Sequence, residues 1–283
     1  MAEIGRLNNL SVLEKSAYGY YLDGGNLGKI LLPNKLSKGE YKIGDEVSAF
    51  IYTDSDEQLT ATTQKPLAQV GEFAFLKVVS VGRSGAFLDW GLNKDLYVRL
   101  SEQKERMREG QSYVVYIFRE PQSIRLAASS KLDHYINPEI SEYSEGEQVN
   151  ILIWERTDMG YKAIINNRDI GLLYHSEIFQ KLSVGQKLQA FIKKIRDDAK
   201  IDLILEKPGF KKSDYLSEKI IAQLKAENGF LAINDKSSPE LIATLFAVSK
   251  KKFKVAIGAL YKQRRIEFVN DGISLIGYTK KNE

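Results

Sequence analysis

Gly82–Glu102 reads GRSGAFLDWGLNKDLYVRLSE, two short strand-like runs joined by a glycine-containing turn. In the second run Leu96, Val98 and Leu100 alternate with Tyr97 and Arg99. A period of two places the aliphatic residues on one face of a strand and the aromatic and the cation on the other. A small β-domain gains stability by burying the aliphatic face. It gains none by displaying Phe87, Tyr97 and Arg99 outward, so these three are predicted to form a binding surface. Flat aromatic faces beside a guanidinium suit the stacking of unpaired bases and the pairing of phosphates. The stretch therefore predicts an RNA-binding module.

The same pattern recurs on both sides. Gly19 in AYGYYLD, Gly85 in RSGAFLD and Gly160 in DMGYKAI lie 66 and 75 residues apart, and Gly44, Gly110 and Gly185 repeat both separations. Each copy closes on a short polar/apolar run: QLTATTQKP, IRLAASSKL and IDLILEKPG. Copies two and three also open alike, with VGEFAFLKVV and EGEQVNILIW. A turn glycine, an acid or amide, then alternating apolar residues is a strand-start signal, used here five times. Each copy thus reads as about five short strands with no long helix, a length that favours a closed barrel over an open sheet with exposed edges. Lys65-Pro66 and Lys207-Pro208 mark the ends of copies one and three, and 133–144 reads as a linker. The expected domains are 1–66, 67–132, 145–208 and 209–283.

Beyond Pro208 the period changes to about 3.6. SEKIIAQLKAEN, Ser217 to Asn228, reads as a helix with Ile220, Ile221 and Leu224 on one face and Gly229 as its stop. Ser237-Ser238-Pro239-Glu240 signals a helix start, with a serine cap, proline in the first turn and Glu240 three residues after Ser237. A third helix is expected from about Ser249 to Gln263. Ile266–Val269 and Ile273–Ile276 then flank Asn270-Asp271-Gly272, a hairpin signal. Three helices followed by a hairpin is the order of a winged helix-turn-helix. On the third helix Lys251, Lys254, Gly258, Lys262 and Arg265 fall on one stripe, opposite Phe253, Ala256, Ile257 and Leu260.

Composition bounds the rest. The 283 residues exceed one such module and indicate several domains. Cysteine is absent, which excludes disulfides, thiolate metal sites and cysteine nucleophiles and accords with a reducing cytoplasm. No apolar run reaches the length of a membrane span, and the N-terminus lacks a signal-peptide pattern, so a cytoplasmic location is expected. Residues 209–283 carry 14 Lys/Arg against 8 Asp/Glu, a net of +6, within a whole-chain net charge of +4. The positive field sits at the C-terminal end. The two histidines, His134 and His175, lie in no metal pattern, and neither a P-loop nor a G-x-S-x-G appears. No catalytic residue, metal or cofactor is expected.

GAFLDWG, DLYVRLSE, GQSYVVYIF and IRLAASSK together resemble the S1 RNA-binding domain, a five-stranded OB-fold. Three such units, the first and third divergent, followed by a winged helix resemble the bacterial conserved virulence factor B (YitL-like) family. The resemblance implies RNA binding and post-transcriptional effects on gene expression, virulence-related expression included, without a chemical reaction. The S1 strand-two aromatic falls on Phe87, and the G-L-V-H segment on Leu96-Tyr97-Val98-Arg99, with Arg99 at the histidine position. In copy three, Lys162 takes the place of the strand-two aromatic and Tyr174 that of the histidine. In copy one, Tyr21 matches strand two, while Gly28-Lys29-Ile30-Leu31 puts Leu31 at the histidine position.

The expected fold is mainly β with a C-terminal α+β domain: three tandem S1-like OB barrels and a winged helix. The candidate RNA-binding residues are Phe87, Tyr97, Arg99, Tyr21, Lys29, Lys162, Tyr174, Lys251, Lys254, Lys262 and Arg265. The expected partner is single-stranded RNA. Two alternatives stand open at this point: a DNA-binding regulator that uses the winged helix, and a scaffold that docks on a ribosome or RNA-processing machinery.

Overall fold

A computed structural model describes residues 1–136, 142–178, 180–198, 200–206, 212–246 and 248–277. The chain forms two compact units, Met1–Leu205 and Glu206–Glu283. The Lys207-Pro208 boundary predicted from sequence lies outside the described residues.

The first unit contains three closed five-stranded barrels. Strands β1 (Leu7–Lys15), β2 (Gly19–Asp23), β3 (Lys29–Pro33), β4 (Glu46–Thr53) and β5 (Leu59–Thr62) form the first. The second is made of β6 (Phe73–Val81), β7 (Gly85–Asp89), β8 (Leu96–Arg99), β9 (Ser112–Arg119) and β10 (Leu126–Ser129). The third is made of β11 (Gln148–Arg156), β12 (Gly160–Ile165), β13 (Asp169–Tyr174), β14 (Lys187–Ile195) and β15 (Ile201–Ile204). In each barrel the first strand pairs antiparallel with the second and fourth, and a parallel pairing of the third with the fifth closes the sheet. A bulge in each first strand, at Val12/Glu14, Val78/Ser80 and Ile153/Glu155, lets one long strand bend to serve two partners.

The repeated glycines have a steric cause. A Cβ at Gly19, Gly85 or Gly160 would lie 2.1, 2.2 or 1.8 Å from the carbonyl oxygen of Leu32, Val98 or Leu173 on the adjacent strand. Only glycine admits that approach. A strand-start glycine that the sequence reading overlooks is Gly5, which with Gly71 and Gly146 repeats the two separations at positive φ.

Barrels one and two share one core. Phe50 and Trp90, both buried, meet edge to face at 5.6 Å, and a continuous apolar cluster runs from Ile4 to Ala128. The Lys94 ammonium donates to the carbonyls of Thr53 and Asp54 at 2.9 and 2.6 Å, and Arg125 pairs with Glu57. Barrels two and three meet through Phe73, Leu132, Leu152 and Trp154. The described ends of the 133–144 segment are packed down. Tyr135 stacks on Tyr116 at 4.3 Å, and the Tyr143 hydroxyl donates to Asp169 at 2.7 Å.

The second unit is the winged helix: α1 (Lys212–Ala226), β16 (Phe230–Leu231), α2 (Pro239–Phe246), α3 (Lys250–Lys262), β17 (Ile266–Val269) and β18 (Gly272–Leu275), with sheet order β16-β18-β17. Helix α1 starts five residues earlier than the sequence pattern indicates. The cap of α2 is Ser238, whose hydroxyl accepts from the Leu241 amide at 3.2 Å, with Pro239 in the first helical position. Ser237, three residues before Glu240, closes the preceding turn by accepting from the Asn234 amide. Ile220, Ile221 and Leu224 of α1 and Phe253, Ala256, Ile257 and Leu260 of α3 are buried together, as their spacing requires.

Candidate nucleic-acid interface

Strands β7 and β8 pair in the register Phe87↔Tyr97 and Gly85↔Arg99. Ala86, Leu88, Leu96 and Val98 point into the barrel, and Phe87, Tyr97 and Arg99 point outward. Leu100, assigned by the alternation to the buried face, is 39% exposed, because β8 ends at Arg99 and the chain turns there into a short 3₁₀ segment. The rings of Phe87 and Tyr97 stand 5.2 Å apart, tilted by 39°. The Tyr97 hydroxyl donates to the Ser84 carbonyl at 2.8 Å, which holds its ring in place.

These side chains line a groove of about 510 Å³ between the first two barrels. Tyr52 and Glu57 come from barrel one; Phe87, Tyr97, Arg99 and Glu120 come from barrel two. Its cations already have acceptors. The Arg99 guanidinium meets the mostly buried Glu120 carboxylate at 2.7 Å, Arg125 meets Glu57, and Lys94 reaches the carbonyls above. Burial, followed by the charge of Asp89, pushes Asp95 above the usual carboxylate range. Burial draws the Lys94 ammonium below the usual lysine range, against the pull of Asp54 and Glu57. The groove is aromatic and nearly charge-balanced. Arg99 is still about half exposed, so donors of its fork beyond the one on Glu120 face solvent.

The corresponding positions of the other barrels differ. In barrel one the register Gly19↔Pro33 places Pro33, and not Leu31, opposite the glycine where barrel two has Arg99. Leu31 pairs with Tyr21 instead, the position of Tyr97. The sequence alignment is off by two residues there, a shift that preserves strand parity and so escapes an alternation argument. Tyr21 is half-buried, and Lys29 is tied to Glu14 at 3.1 Å. In barrel three the Lys162 ammonium sits 5.2 Å from the Trp154 ring and 3.5 Å from Glu155. Lys104 of barrel two reaches the same carboxylate at 2.8 Å and the same ring at 5.5 Å. Tyr174 accepts a hydrogen bond from Arg196, which also binds Asp202 at 3.0 Å. Lys162 and Tyr174 are thus committed to contacts within the protein.

On α3 of the second unit, Lys251, Lys254 and Lys262 are exposed. Lys254 lies 3.6 Å from Asp235, and Arg265 is paired with Glu218 at 2.6 Å. Among the described residues no salt bridge involves Lys251 or Lys262. Sequence reasoning missed Glu120 and Trp154. Glu120 carries no local signal, since its partner Arg99 lies 21 residues away, and the cations on Trp154 come from the next strand of its own barrel and from across a barrel boundary. Among the described residues there is no group of three or more His, Asp or Glu placed to hold a metal, and no helix long and apolar enough to cross a membrane.

Two stretches of the chain match known domain families. Residues 218–275 match the model of the CvfB-like winged helix domain, and residues 4–64 match the S1 domain. The S1 match falls on copy one, one of the two copies whose motifs are divergent. YitL of Bacillus subtilis (strain 168) is 27% identical over 276 residues, covering 93% of this chain and 90% of that protein. Conserved virulence factor B of Staphylococcus aureus (strain USA300) is 27% identical over 295 residues, covering 98% of this chain and 95% of that protein. The Staphylococcus epidermidis (strain RP62A) protein of the same name is 25% identical over 287 residues, with coverage of 98% and 95%. A crystal structure described as a multidomain protein with nucleic acid binding domains, from Streptococcus pneumoniae TIGR4, aligns with TM-score 0.43 at 24% identity, covering 96% of this chain and 98% of that one.

Proposed function

Taking the chain as a homologue of the conserved virulence factor B and YitL proteins, built of S1-type barrels and a CvfB-like winged helix, we propose that it binds single-stranded RNA without catalysing a reaction and acts in post-transcriptional gene regulation, virulence-related expression included. S1 and winged-helix domains are nucleic-acid-binding types, and neither is a catalytic family. The observation that carries the choice of a single strand is the outward pair Phe87 and Tyr97 at 5.2 Å on the groove of barrel two. An unpaired base has a free face to lay on a ring, whereas a paired and stacked base does not.

The division of labour follows from charge. Barrel two supplies aromatic surface in a charge-balanced groove, with Arg99 stacking as a planar cation or meeting phosphate through its free donors. The winged helix supplies Lys251 and Lys262, exposed and in no salt bridge among the described residues, which suit the sugar-phosphate backbone. Duplex DNA readout through α3 is less well supported. The stripe has no Asn or Gln to read base edges, and its single Arg is held by Glu218.

The test is anisotropy binding of a labelled RNA strand and of its duplex at equal salt. The single strand is expected to bind at least about tenfold more tightly, and the margin should shrink in Phe87→Ala/Tyr97→Ala. Tighter binding of the duplex would sink the proposal.

A further inference from the structure

The junction of barrels two and three holds a second concavity, separate from the groove between barrels one and two. It has a volume of about 630 Å³, inside the range of small-molecule sites, and is lined by β11, β14, the turn after β12 and the start of β6. Its floor is apolar: Phe73 of barrel two closes against Leu152 and Ile164 of barrel three, all three at most 6% exposed. Side-chain amides and a single cation form the wall above, with Glu72 entering from barrel two.

Strand pairing explains this arrangement. Asn150, Leu152 and Trp154 share the outward face of β11; barrel two covers the last two and leaves Asn150 in water. The register Asn150↔Gln189 and Leu152↔Lys187 sets Gln189 beside Asn150 and Lys187 one step along the same face. Two further amides are committed within the protein. Asn167 accepts from the Phe73 amide at 2.6 Å and donates to the Gly71 carbonyl at 3.1 Å, tying the two barrels together. Asn166 accepts from the Asn150 backbone amide at 3.0 Å. By contrast, the carboxamides of Asn150 and Gln189 make no hydrogen bond, and Lys187 no salt bridge, among the described residues. Glu72 accepts from the Gln69 amide through one carboxylate oxygen at 2.8 Å, and the other takes no hydrogen bond among the described residues.

These groups together match the parts of one ligand. An Asn or Gln carboxamide meets adenine N6 and N7 with a pair of hydrogen bonds, and the flat base suits the apolar floor. A carboxylate suits the ribose hydroxyls, and a lone ammonium suits one phosphate. One cation beside one carboxylate does not suit a strand, whose many phosphates call for several cations. We propose that this junction is a binding site for a free adenine mononucleotide, with the base edge on Asn150 and Gln189, the ribose on Glu72 and the phosphate on Lys187. The inference goes beyond the single-strand reading given above and does not rest on it.

The experiment titrates the full chain with AMP, GMP and adenosine by calorimetry and thermal melting, as wild type, Asn150→Ala/Gln189→Ala and Lys187→Met. The three positions are exposed, so the ligand-free variants should melt as wild type does. AMP is expected to bind saturably and to raise the melting temperature of wild type. GMP should bind at least about fivefold more weakly, the lower end of what one paired base contact discriminates. Asn150→Ala/Gln189→Ala should lose at least about fivefold on AMP and lose the preference over GMP. Lys187→Met should bind AMP no better than adenosine, with adenosine affinity unchanged. Photolabelling of wild type with azido-AMP should mark a peptide containing Asn150 or Gln189, a result that requires no variant to fold. Absence of saturable AMP binding, equal affinity for AMP and GMP, full AMP affinity in the folded double variant, or labelling elsewhere overturns the inference. Displacement of AMP by a single-stranded RNA also overturns it, because the groove would then hold a base of the strand. Phe87→Ala/Tyr97→Ala should leave AMP binding intact and Asn150→Ala/Gln189→Ala should leave strand binding intact, so that either reading can fail without the other.

Discussion

Replacing both rings of barrel two, Phe87→Ala/Tyr97→Ala, should weaken single-strand binding by roughly 5- to 150-fold, the equivalent of about 1–3 kcal/mol for one stacked base. The geometry limits the effect to one base. Rings 5.2 Å apart and tilted by 39° cannot both lie parallel to separate bases; one ring offers its face while the other flanks the same base. Two independent platforms would lose twice that free energy. The fold should tolerate the change. Phe87 is already 36% exposed, and the hydrogen bond lost from Tyr97 to Ser84 is at the surface, so about 1 kcal/mol of stability is at stake. No formal charge is removed, and the slope of log affinity against log salt should stay as in wild type. Tyr97→Phe is the control: it removes the hydroxyl and keeps the ring, and should retain most of the binding. Anisotropy over a salt series reads all of this. Wild-type affinity in a folded double variant, or a loss as large in Tyr97→Phe, would refute the stacking argument.

Glu120→Gln should free the Arg99 guanidinium, raise single-strand affinity about two- to threefold at low salt and steepen the salt slope by about 0.7, the value for one added phosphate contact; weaker binding would show that Glu120 itself helps to hold the strand. Lys94→Met removes two charge-assisted hydrogen bonds between the first two barrels and should cost about 2–4 kcal/mol, seen as a lower melting temperature and faster proteolysis between barrels one and two. Gly185→Ala, at φ +85° with its Cβ running into the Phe75 ring at 2.2 Å, should destabilise by about 2–3 kcal/mol, whereas Gly44→Ala, at φ +93° in open space, should cost about 1 kcal/mol. A hydrogen bond from Lys104 holds the Glu155 carboxyl below the usual glutamate range. Its contribution is therefore present above the unfolded value of about 4.3 and is lost as pH falls through the folded one. Between pH 5 and 3 the melting temperature of wild type should fall about 2 °C further than that of Glu155→Gln, a small margin because the pair is partly exposed.

The order and spacing of the residues located the elements, apart from the first turn of α1. Glycines at fixed separations mark strands because each must admit a neighbouring carbonyl or a left-handed turn, and that requirement is local and repeats with the fold. Alternation likewise settled which side of β7 and β8 faces water, and the 3.6-residue spacing settled the buried side of α3. What each exposed side chain is free to do came from the way the strands and helices pack. Arg99 met Glu120, Lys162 met Trp154 and Glu155, and Arg265 met Glu218, each through partners that no periodicity brings together. The two-residue slip between Leu31 and Pro33 was invisible for a related reason, since strand parity is unchanged by it. Side-chain direction is a property of the local backbone; charge compensation and ring pairing depend on which distant strand or helix arrives alongside.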